Sequence, residues 1–120
     1  HGIVMGSPIY MGLIASPLKD LFERMVTFRQ GGFPLMNKVG GAIATGGGRN
    51  TGYELVLQQL IMFMITQEMI VVGDGKPGDH WGGAIQSQGE ELSKDEASLN
   101  TVRGVGKRVA EIALRMAASA

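Results

Sequence analysis

Cysteine is absent from this chain of 120 residues, and so is any excess of charge of one sign. Without cysteine, these residues form no disulfide, thiolate nucleophile or cysteine-ligated metal site. Lysine plus arginine and aspartate plus glutamate each number 11, so no net field attracts nucleic acid or an anionic membrane. A lack of cysteine also agrees with a cytoplasmic location, which we expect.

Long apolar segments are scarce as well. The longest, residues 55–65, is interrupted by Gln58 and Gln59 and is far shorter than the ~20 residues of a membrane-spanning helix. Hydrophobic residues nevertheless make up 44% of the chain and charged residues 18%, which permits a sizeable core and argues against disorder. We expect one folded domain without a membrane span.

Three short apolar runs, at residues 3–5, 39–45 and 69–72, are predicted to be strands. None of them alternates polar with apolar residues, which is typical of parallel strands that helices cover on both faces. Glycine is abundant, with 19 residues, and many glycines follow these runs, where a chain that leaves a strand must turn sharply.

The segments between and after the strands have the periodicity of amphipathic helices. The first helix is predicted to begin with Ser16 as its cap and Pro17 in its first turn, and to end at the loop 30–34. The second spans about 52–67, and the last opens with a capping box at 93–96. The predicted buried faces of the first two helices comprise Leu18, Leu21, Phe22, Met25, Leu57, Leu60, Ile61, Met64 and Ile65.

Two glycines and one long loop complete the pattern. Gly104 and Gly106 lie inside the last helix, where each costs about 1 kcal/mol relative to alanine, so we expect them to pack closely against the sheet. Residues 73–90 are predicted to be a loop, and loops of this length inside a compact domain are usually functional or disordered. The predicted order is βαβαβα, an α/β fold with a parallel sheet.

Ligands of parallel sheets bind beyond the carboxyl ends of the strands, which directs attention to the first two strand-to-helix loops. Residues 6–12 combine flanking glycines with Pro8 and the aromatic ring of Tyr10. Pro8 fixes one backbone angle, and the glycines let the chain approach a flat ligand closely. An ordinary strand-to-helix turn would explain the same residues.

The second loop carries Gly46, Gly47 and Gly48, followed by Arg49. Consecutive glycines can expose several backbone N–H groups that point one way, as in an anion-binding nest. The loop lacks the Gly-Lys-Ser/Thr ending of a P-loop, and Thr51 stands where a dinucleotide fingerprint needs glycine or alanine. A flexible glycine-rich turn is the alternative.

Together, the two loops resemble those of the flavodoxin-like NADPH-dependent FMN reductase family, especially its quinone-reductase and iron–sulfur-flavoprotein branches. The similar segments are the Gly-Ser-Pro-x-Tyr-x-Gly run at 6–12, the Lys-x-Gly strand at 38–40 with the Thr-Gly-Gly-Gly loop at 45–48, and the Met-Ile-Val-Val-Gly strand at 69–73. Residues 103–110 resemble the family's last helix, so the resemblance covers nearly the whole chain.

The resemblance implies a flavodoxin-like three-layer sandwich with a parallel sheet, FMN as the cofactor, and two-electron chemistry between NAD(P)H and a quinone, a flavin or another small acceptor. It implies that the first loop surrounds the isoalloxazine ring and that the second meets the ring's pyrimidine edge, with no protein acid or base required. The implied cofactor-binding residues are Ser7, Pro8, Ile9, Tyr10, Met11, Gly12, Thr45, Gly46, Gly47 and Gly48.

Two features of the family have no counterpart in these residues. No segment matches the Ser/Thr- and Gly-rich loop that holds the FMN phosphate, and the family's first two strands are absent, so we expect the C-terminal part of one flavodoxin-like domain. The strand at 3–5 would then present an apolar edge. A longer parent chain, a dimer through that edge, or a second chain that completes the sheet would each cover it, and the first is the preferred interpretation.

His80 and Arg49 are further candidates for cofactor binding. His80, beside Trp81, could contact the ring edge or relay a proton to reduced flavin or quinone, or it could be a solvent-exposed loop residue. Arg49 could pair with an NADPH phosphate, stabilise the charge of the reduced ring, or remain solvated. One histidine with Asp74 and Asp79 is too little for a metal site, so none is expected.

A second class of function fits the same residues. The helix at 52–67 is apolar around much of its girth, which indicates a subunit contact and a homo-oligomer. The alternative to an FMN-dependent oxidoreductase is therefore a non-catalytic flavodoxin-like module for oligomerisation or protein binding.

Overall fold

The computed structural model describes residues 1–87 and 95–119. Its centre is a parallel sheet of four strands: β1 (Gly2–Pro8), β2 (Val39–Gly46), β3 (Ile70–Val72) and β4 (Gly83–Gln86). The α/β class with a parallel sheet, expected from the uninterrupted apolar runs, is confirmed.

Strand β2 pairs with every other strand of the sheet. β1 follows it from the pair Gly2–Val39 to the pair Pro8–Thr45. β3 pairs with residues 39–41 of β2, and β4 pairs with residues 43–46. Because β1 occupies one edge of β2 along this whole length, β3 and β4 must share the opposite edge, one after the other.

The fourth strand corrects the prediction of an uninterrupted loop over 73–90. This strand has only four residues and begins with a glycine, which has low strand propensity, so the sequence does not indicate a strand here. β4 forms because β2 offers it hydrogen-bonding partners. Without β4, the backbone N–H and C=O groups of β2 from Ile43 to Gly46 would have no strand to pair with on this side. The element order is therefore βαβαββα when the short second helix is counted with the first.

The described residues form four helices: α1 (Ser16–Arg24), α2 (Val26–Gln30), α3 (Tyr53–Thr66) and α4 (Glu96–Ala118). The single helix predicted before residues 30–34 is thus divided at Met25, which ends α1 and caps α2. Within the described ranges 1–87 and 95–119, no helix combines the length and the apolar character that a bilayer crossing requires.

The predicted helix caps need correction. The N-cap of α1 is Ala15, not Ser16, which is already the first helical residue. The N-cap of α4 is Asp95, whose carboxylate accepts a hydrogen bond from the backbone N–H of Ser98 at 3.1 Å. Hydrogen bonds from the side chain and the backbone of Ser98 lower the pKa of Asp95. The predicted capping residue Ser93 lies outside the described residues.

Strand β2 brings helices to both of its faces at very short range. A Cβ added at Gly41 would lie 2.5 Å from Cγ1 of Val105 and 2.8 Å from Cγ2 of Val109, both in α4. A Cβ added at Gly40, on the other face, would overlap the Sδ of Met64 in α3. Helices α3 and α4 therefore pack directly on the backbone of β2, from opposite sides.

The buried face of α3 is rotated from the predicted one. Val56, placed outside the stripe by the sequence pattern, is fully buried, whereas Ile65 is 52% exposed. Leu57, Leu60 and Met64 are buried as predicted. In α1 the predicted core residue Leu21 is 51% exposed, and no residue of that helix is buried.

The two glycines of α4 have opposite surroundings. A Cβ added at Gly104 would collide with the backbone carbonyl oxygen of Asp74, so this glycine does permit a close approach, though to the segment that follows β3 and not to the sheet itself. A Cβ added at Gly106 would meet no atom within 4 Å, so the expectation of close packing is wrong there.

This contrast predicts opposite effects of the same substitution. Gly106→Ala should raise the free energy of unfolding by about 1 kcal/mol, because alanine loses less conformational entropy in a helix interior. Gly104→Ala should lower it, because the collision with the Asp74 backbone outweighs that gain. Urea denaturation followed by circular dichroism measures both. Equal shifts in the two variants would contradict this packing.

Candidate functional site

The two glycine-bearing loops lie side by side at the carboxyl ends of β1 and β2. The strands end in register, at the pair Pro8–Thr45, and the N–H of Ile9 donates to the carbonyl of Thr45 at 2.8 Å. Loop 1 also meets the N-cap of α3, since a Cβ added at Gly52 would lie 3.2 Å from the Cα of Gly12. Loop 1 (residues 7–12) and loop 2 (residues 45–49) therefore form one continuous surface.

Loop 1 is held in a defined shape by its own hydrogen bonds. The buried hydroxyl of Ser7 accepts from the N–H of Ala15 at 2.9 Å and donates to the carbonyl of Pro8 at 2.8 Å. Tyr10 and Leu13 exchange two backbone hydrogen bonds of 3.0 Å. The Ser7 hydroxyl is thus engaged within the protein, and its side chain orders the loop.

The tip of loop 1 is presented to solvent. Tyr10 is 63% exposed and Met11, in the left-handed region with φ 54°, is 98% exposed. An aromatic ring and an apolar chain in this position are unusual unless another surface packs against them. The backbone N–H groups of Met11 and Gly12 donate to no acceptor within residues 1–87 and 95–119.

Loop 2 is anchored by the first residue of α3. The hydroxyl of Tyr53 lies 3.1 Å from the carbonyl oxygen of Gly46 and 3.0 Å from that of Gly48. The hydroxyl of Thr51 donates to the Gly48 carbonyl as well, at 3.2 Å. The glycines are consequently not a flexible turn: two of their carbonyl groups are directed toward one side chain.

This anchoring determines where the amide donors point. In a trans peptide the N–H is antiparallel to the C=O of the same unit. Because the carbonyls of Gly46 and Gly48 are directed at the Tyr53 hydroxyl, the N–H groups of Gly47 and Arg49 point away from it. Neither N–H donates to an acceptor in the described part of the chain. Loop 2 therefore offers two oriented donors for a ligand.

A glutamine of α3 connects loop 1 to the helix that follows loop 2. The side-chain oxygen of Gln59 accepts from the N–H of Ile14 at 3.3 Å, and its amide nitrogen donates to the carbonyl of Gly12 at 3.3 Å. The same nitrogen donates to the Leu55 carbonyl at 3.0 Å. Gln59 thus fixes the far end of loop 1 relative to α3.

Two predicted site residues lie apart from this surface or at its margin. Arg49 is exposed and lines a shallow cavity of 290 Å³ together with Tyr53 and Gln86. His80 belongs to the segment between β3 and β4, and it lines a different cleft from which loops 1 and 2 are absent. The structure does not bring His80 to the two loops, and its contact with a cofactor stays a prediction.

Two residues that organise the site have no role predicted from the sequence. Tyr53 stands at the start of the second predicted helix, and Gln59 is only one of a polar pair that interrupts an apolar segment. For Gln59 a signal existed, because a polar pair that interrupts an apolar helix needs partners for its amide groups. For Tyr53, seven residues beyond Gly46, the sequence contains no comparable signal.

The surface of loops 1 and 2 has the chemistry of a site for a flat, electronegative ligand. Tyr10 and Met11 offer apolar and aromatic area, and the free N–H groups at positions 11, 12, 47 and 49 offer hydrogen-bond donors without charge. In the described ranges, no three histidine, aspartate or glutamate side chains are placed to share a metal ion.

Comparison with known proteins places this arrangement in context. Residues 1–80 match the NADPH-dependent FMN reductase family model. An iron-sulfur flavoprotein of Methanocaldococcus jannaschii is 44% identical over 112 residues, which cover 92% of this chain and 58% of that protein. An iron-sulfur flavoprotein of Methanosarcina thermophila is 39% identical over 111 residues, covering 92% and 55% respectively. The chain thus spans less than three fifths of the length of these relatives.

A solved structure shows the same fold. The flavodoxin, WrbA-like protein from Agrobacterium tumefaciens superposes with a TM-score of 0.78 at 22% identity, over 95% of this chain and 66% of that one. The expected flavodoxin-like architecture is therefore confirmed. With a family model that covers two thirds of its length and a parallel sheet of the flavodoxin type, the chain belongs to the flavodoxin-like NADPH-dependent FMN reductase family.

Proposed function

We propose that this chain forms the ring-binding part of an FMN-dependent oxidoreductase that takes electrons from NAD(P)H. The observation that carries the proposal is the pair of outward N–H groups of loop 2, oriented by the Tyr53 hydroxyl, beside the exposed Tyr10 of loop 1. Membership of the NADPH-dependent FMN reductase family supports FMN and a nicotinamide donor. Similarity to iron-sulfur flavoproteins supports a flavin more generally.

Each loop has a separate task in this proposal. Loop 1 packs its backbone and the side chains of Tyr10 and Met11 along the ring, which excludes water from one part of it. Loop 2 donates hydrogen bonds from Gly47 and Arg49 to the electronegative edge of the ring, where they favour negative charge. FMN, when bound, supplies the two-electron hydride chemistry, and the protein supplies position and electrostatics.

Turnover by the FMN-loaded protein tests the activity. We expect the protein to oxidise NADPH or NADH in the presence of a quinone or of free flavin. The decrease in nicotinamide absorbance measures this oxidation. Comparison of the rates with NADPH and NADH, and with each acceptor, identifies the preferred donor and acceptor. Absence of nicotinamide oxidation with every acceptor, in protein that has bound FMN, would remove the enzymatic part of the proposal.

The assignment of loops 1 and 2 to the ring predicts how this chain of 120 residues discriminates between flavins. Lumiflavin, which has the ring but no ribityl phosphate, should bind about as tightly as FMN, because the two loops offer contacts to the ring alone. Both should bind weakly. Quenching of flavin fluorescence in a titration measures both affinities. Binding of FMN without binding of lumiflavin would contradict the assignment.

Removal of one hydroxyl group should weaken flavin binding without unfolding the chain. Tyr53→Phe removes the one hydroxyl that both glycine carbonyls share. The Gly46 carbonyl keeps the N–H of Ser87 as a donor and the Gly48 carbonyl keeps the hydroxyl of Thr51, so the N–H groups on the opposite side are held less firmly but are not released. One net hydrogen bond contributes about 0.5–1.5 kcal/mol, so we expect lumiflavin affinity to fall about two- to tenfold in the same titration.

A matched control removes a hydroxyl elsewhere on α3. The hydroxyl of Thr66 also donates to a backbone carbonyl, that of Phe63, at 2.7 Å, but at the far end of the helix. Thr66→Val should leave lumiflavin affinity unchanged. Equal affinities of the Tyr53→Phe and Thr66→Val variants would show that the anchoring of loop 2 does not serve the ring.

A second candidate function, assembly through α3, rests on the outward face of that helix. Leu55, Met62 and Ile65 are each more than half exposed, and Phe22 and Phe63 stack beside them with ring centroids 3.6 Å apart. A groove of 450 Å³ between α1 and α3 is lined by Phe22, Met62 and Phe63, with Lys19 and Glu23 of α1 among its polar residues. This apolar surface favours a homo-oligomer, with or without flavin.

A charge placed on this surface tests the assembly. Met62→Lys should convert an oligomer into monomers, because a lysine buried in an apolar interface is strongly disfavoured. Analytical ultracentrifugation with and without FMN measures the state. Leu114→Lys is the matched control, since Leu114 is an equally apolar, 71% exposed residue of α4 on the opposite face of the sheet. Loss of assembly in both variants, or in neither, would contradict a role of α3.

A further inference from the structure

A second cleft, distinct from loops 1 and 2, opens at the β4 edge of the sheet. Its volume is 470 Å³, and it lies between the first turn of α3 and the first turns of α4. Its apolar walls come from Leu57, Trp81, Ala84 and the ring of Tyr53, and its polar groups include His80 and Glu54. Trp81 is 57% exposed, so a large aromatic side chain stands open at this position.

His80 is held in the cleft by a buried carboxylate. Asp74, whose side chain is 2% exposed, accepts from Nδ1 of His80 at 2.8 Å and from the backbone N–H of His80 at 2.7 Å. A carboxylate is only an acceptor, so Nδ1 of His80 is the donor in this pair, and the tautomer with its hydrogen on Nδ1 presents Nε2 as an acceptor. The backbone around this pair is packed so tightly that a Cβ at Gly78 would collide with Asp74.

The rest of the cleft restricts what this acceptor can bind. The hydroxyl of Thr101 is engaged, since it accepts from the N–H of Ala84 at 3.0 Å and donates to the Ser98 carbonyl at 2.7 Å. The carboxylates of Glu54 and Asp79 line the cleft and disfavour an anion, including a nucleotide phosphate. Burial of an ammonium group against the apolar walls would cost its hydration.

We propose that this cleft binds an uncharged hydroxyaromatic compound. Its hydroxyl group donates a hydrogen bond to Nε2 of His80, and its ring packs between Leu57 and Trp81. Asp74 is a positioning residue, because it sets the tautomer and the orientation of the imidazole without reaching the ligand. The proposal does not depend on flavin binding, since no residue of loops 1 and 2 lines the cleft.

A pair of ligands that differ by one methyl group tests the role of His80. 4-Propylphenol can donate to Nε2, whereas its methyl ether, 4-propylanisole, has nearly the same apolar body but no donor. The chain contains one tryptophan, so the indole N–H of Trp81 gives a single side-chain signal in a ¹⁵N-resolved NMR titration. The phenol should shift this signal and bind about two- to tenfold more tightly than the ether, which is the contribution of one net hydrogen bond.

Variants then separate the hydrogen bond from the apolar contact. His80→Ala should reduce phenol affinity to that of the ether, while the shift of the Trp81 signal by either ligand persists. His1→Ala, which replaces the other histidine of the chain, should leave the preference unchanged. Dispersion of the backbone amide signals reports that each variant is folded.

Four outcomes would overturn the proposal. The first is equal affinity of the phenol and the ether for the unaltered chain. The second is an undiminished preference for the phenol in folded His80→Ala. The third is tighter binding of 4-propylbenzoate than of the phenol, which would mark an anion site at a protonated His80 instead. A Trp81 signal that no ligand shifts would equally contradict a hydroxyaromatic site.

Discussion

The absence of side chains at two adjacent positions of β2 determines how the whole molecule is assembled. Gly40 and Gly41 face opposite sides of the sheet, and at each of them a Cβ would overlap a helix. Because the helices reach the backbone of the central strand, α3 and α4 are held at the minimum separation from it. A larger residue at either glycine would push α3 or α4 away from β2 and displace the side chains that this helix carries.

The positions of both proposed binding surfaces follow from that close packing. Tyr53 and Gln59 can reach loops 1 and 2 because α3 rests directly on β2. On the other face, the close packing of α4 on β2 brings Thr101 within hydrogen-bond distance of β4. The same packing lets α4 form one wall of the cleft beside His80. A single residue, Tyr53, belongs to both regions: its hydroxyl holds loop 2, and its ring lines the cleft.

Much of this architecture could be predicted because hydrophobic pattern and turn chemistry are local properties of a sequence. The three apolar runs became strands β1 to β3, and parallel pairing necessarily placed the two glycine-bearing loops side by side. Strand β4 could not be predicted, because its order comes from the hydrogen-bonding groups of β2. The hydrogen bonds of Tyr53 to loop 2 and of His80 to Asp74 depend on the directions of these side chains in the folded chain. The hydrophobic periodicity of the sequence does not predict those directions.

Two short strands, β3 and β4, pair one after the other with the edge of β2 that lies opposite β1. This arrangement has a consequence for how the sequence can vary. β3 completes its pairing at Gly41 and β4 begins at Ile43, so the intervening excursion, residues 73–82, leaves the sheet and returns to it almost at the same level. Lengthening or shortening such an excursion costs little closure entropy and shifts neither ladder. The segment that carries His80 and Trp81 can therefore change in length and sequence while the strands beneath it keep their register.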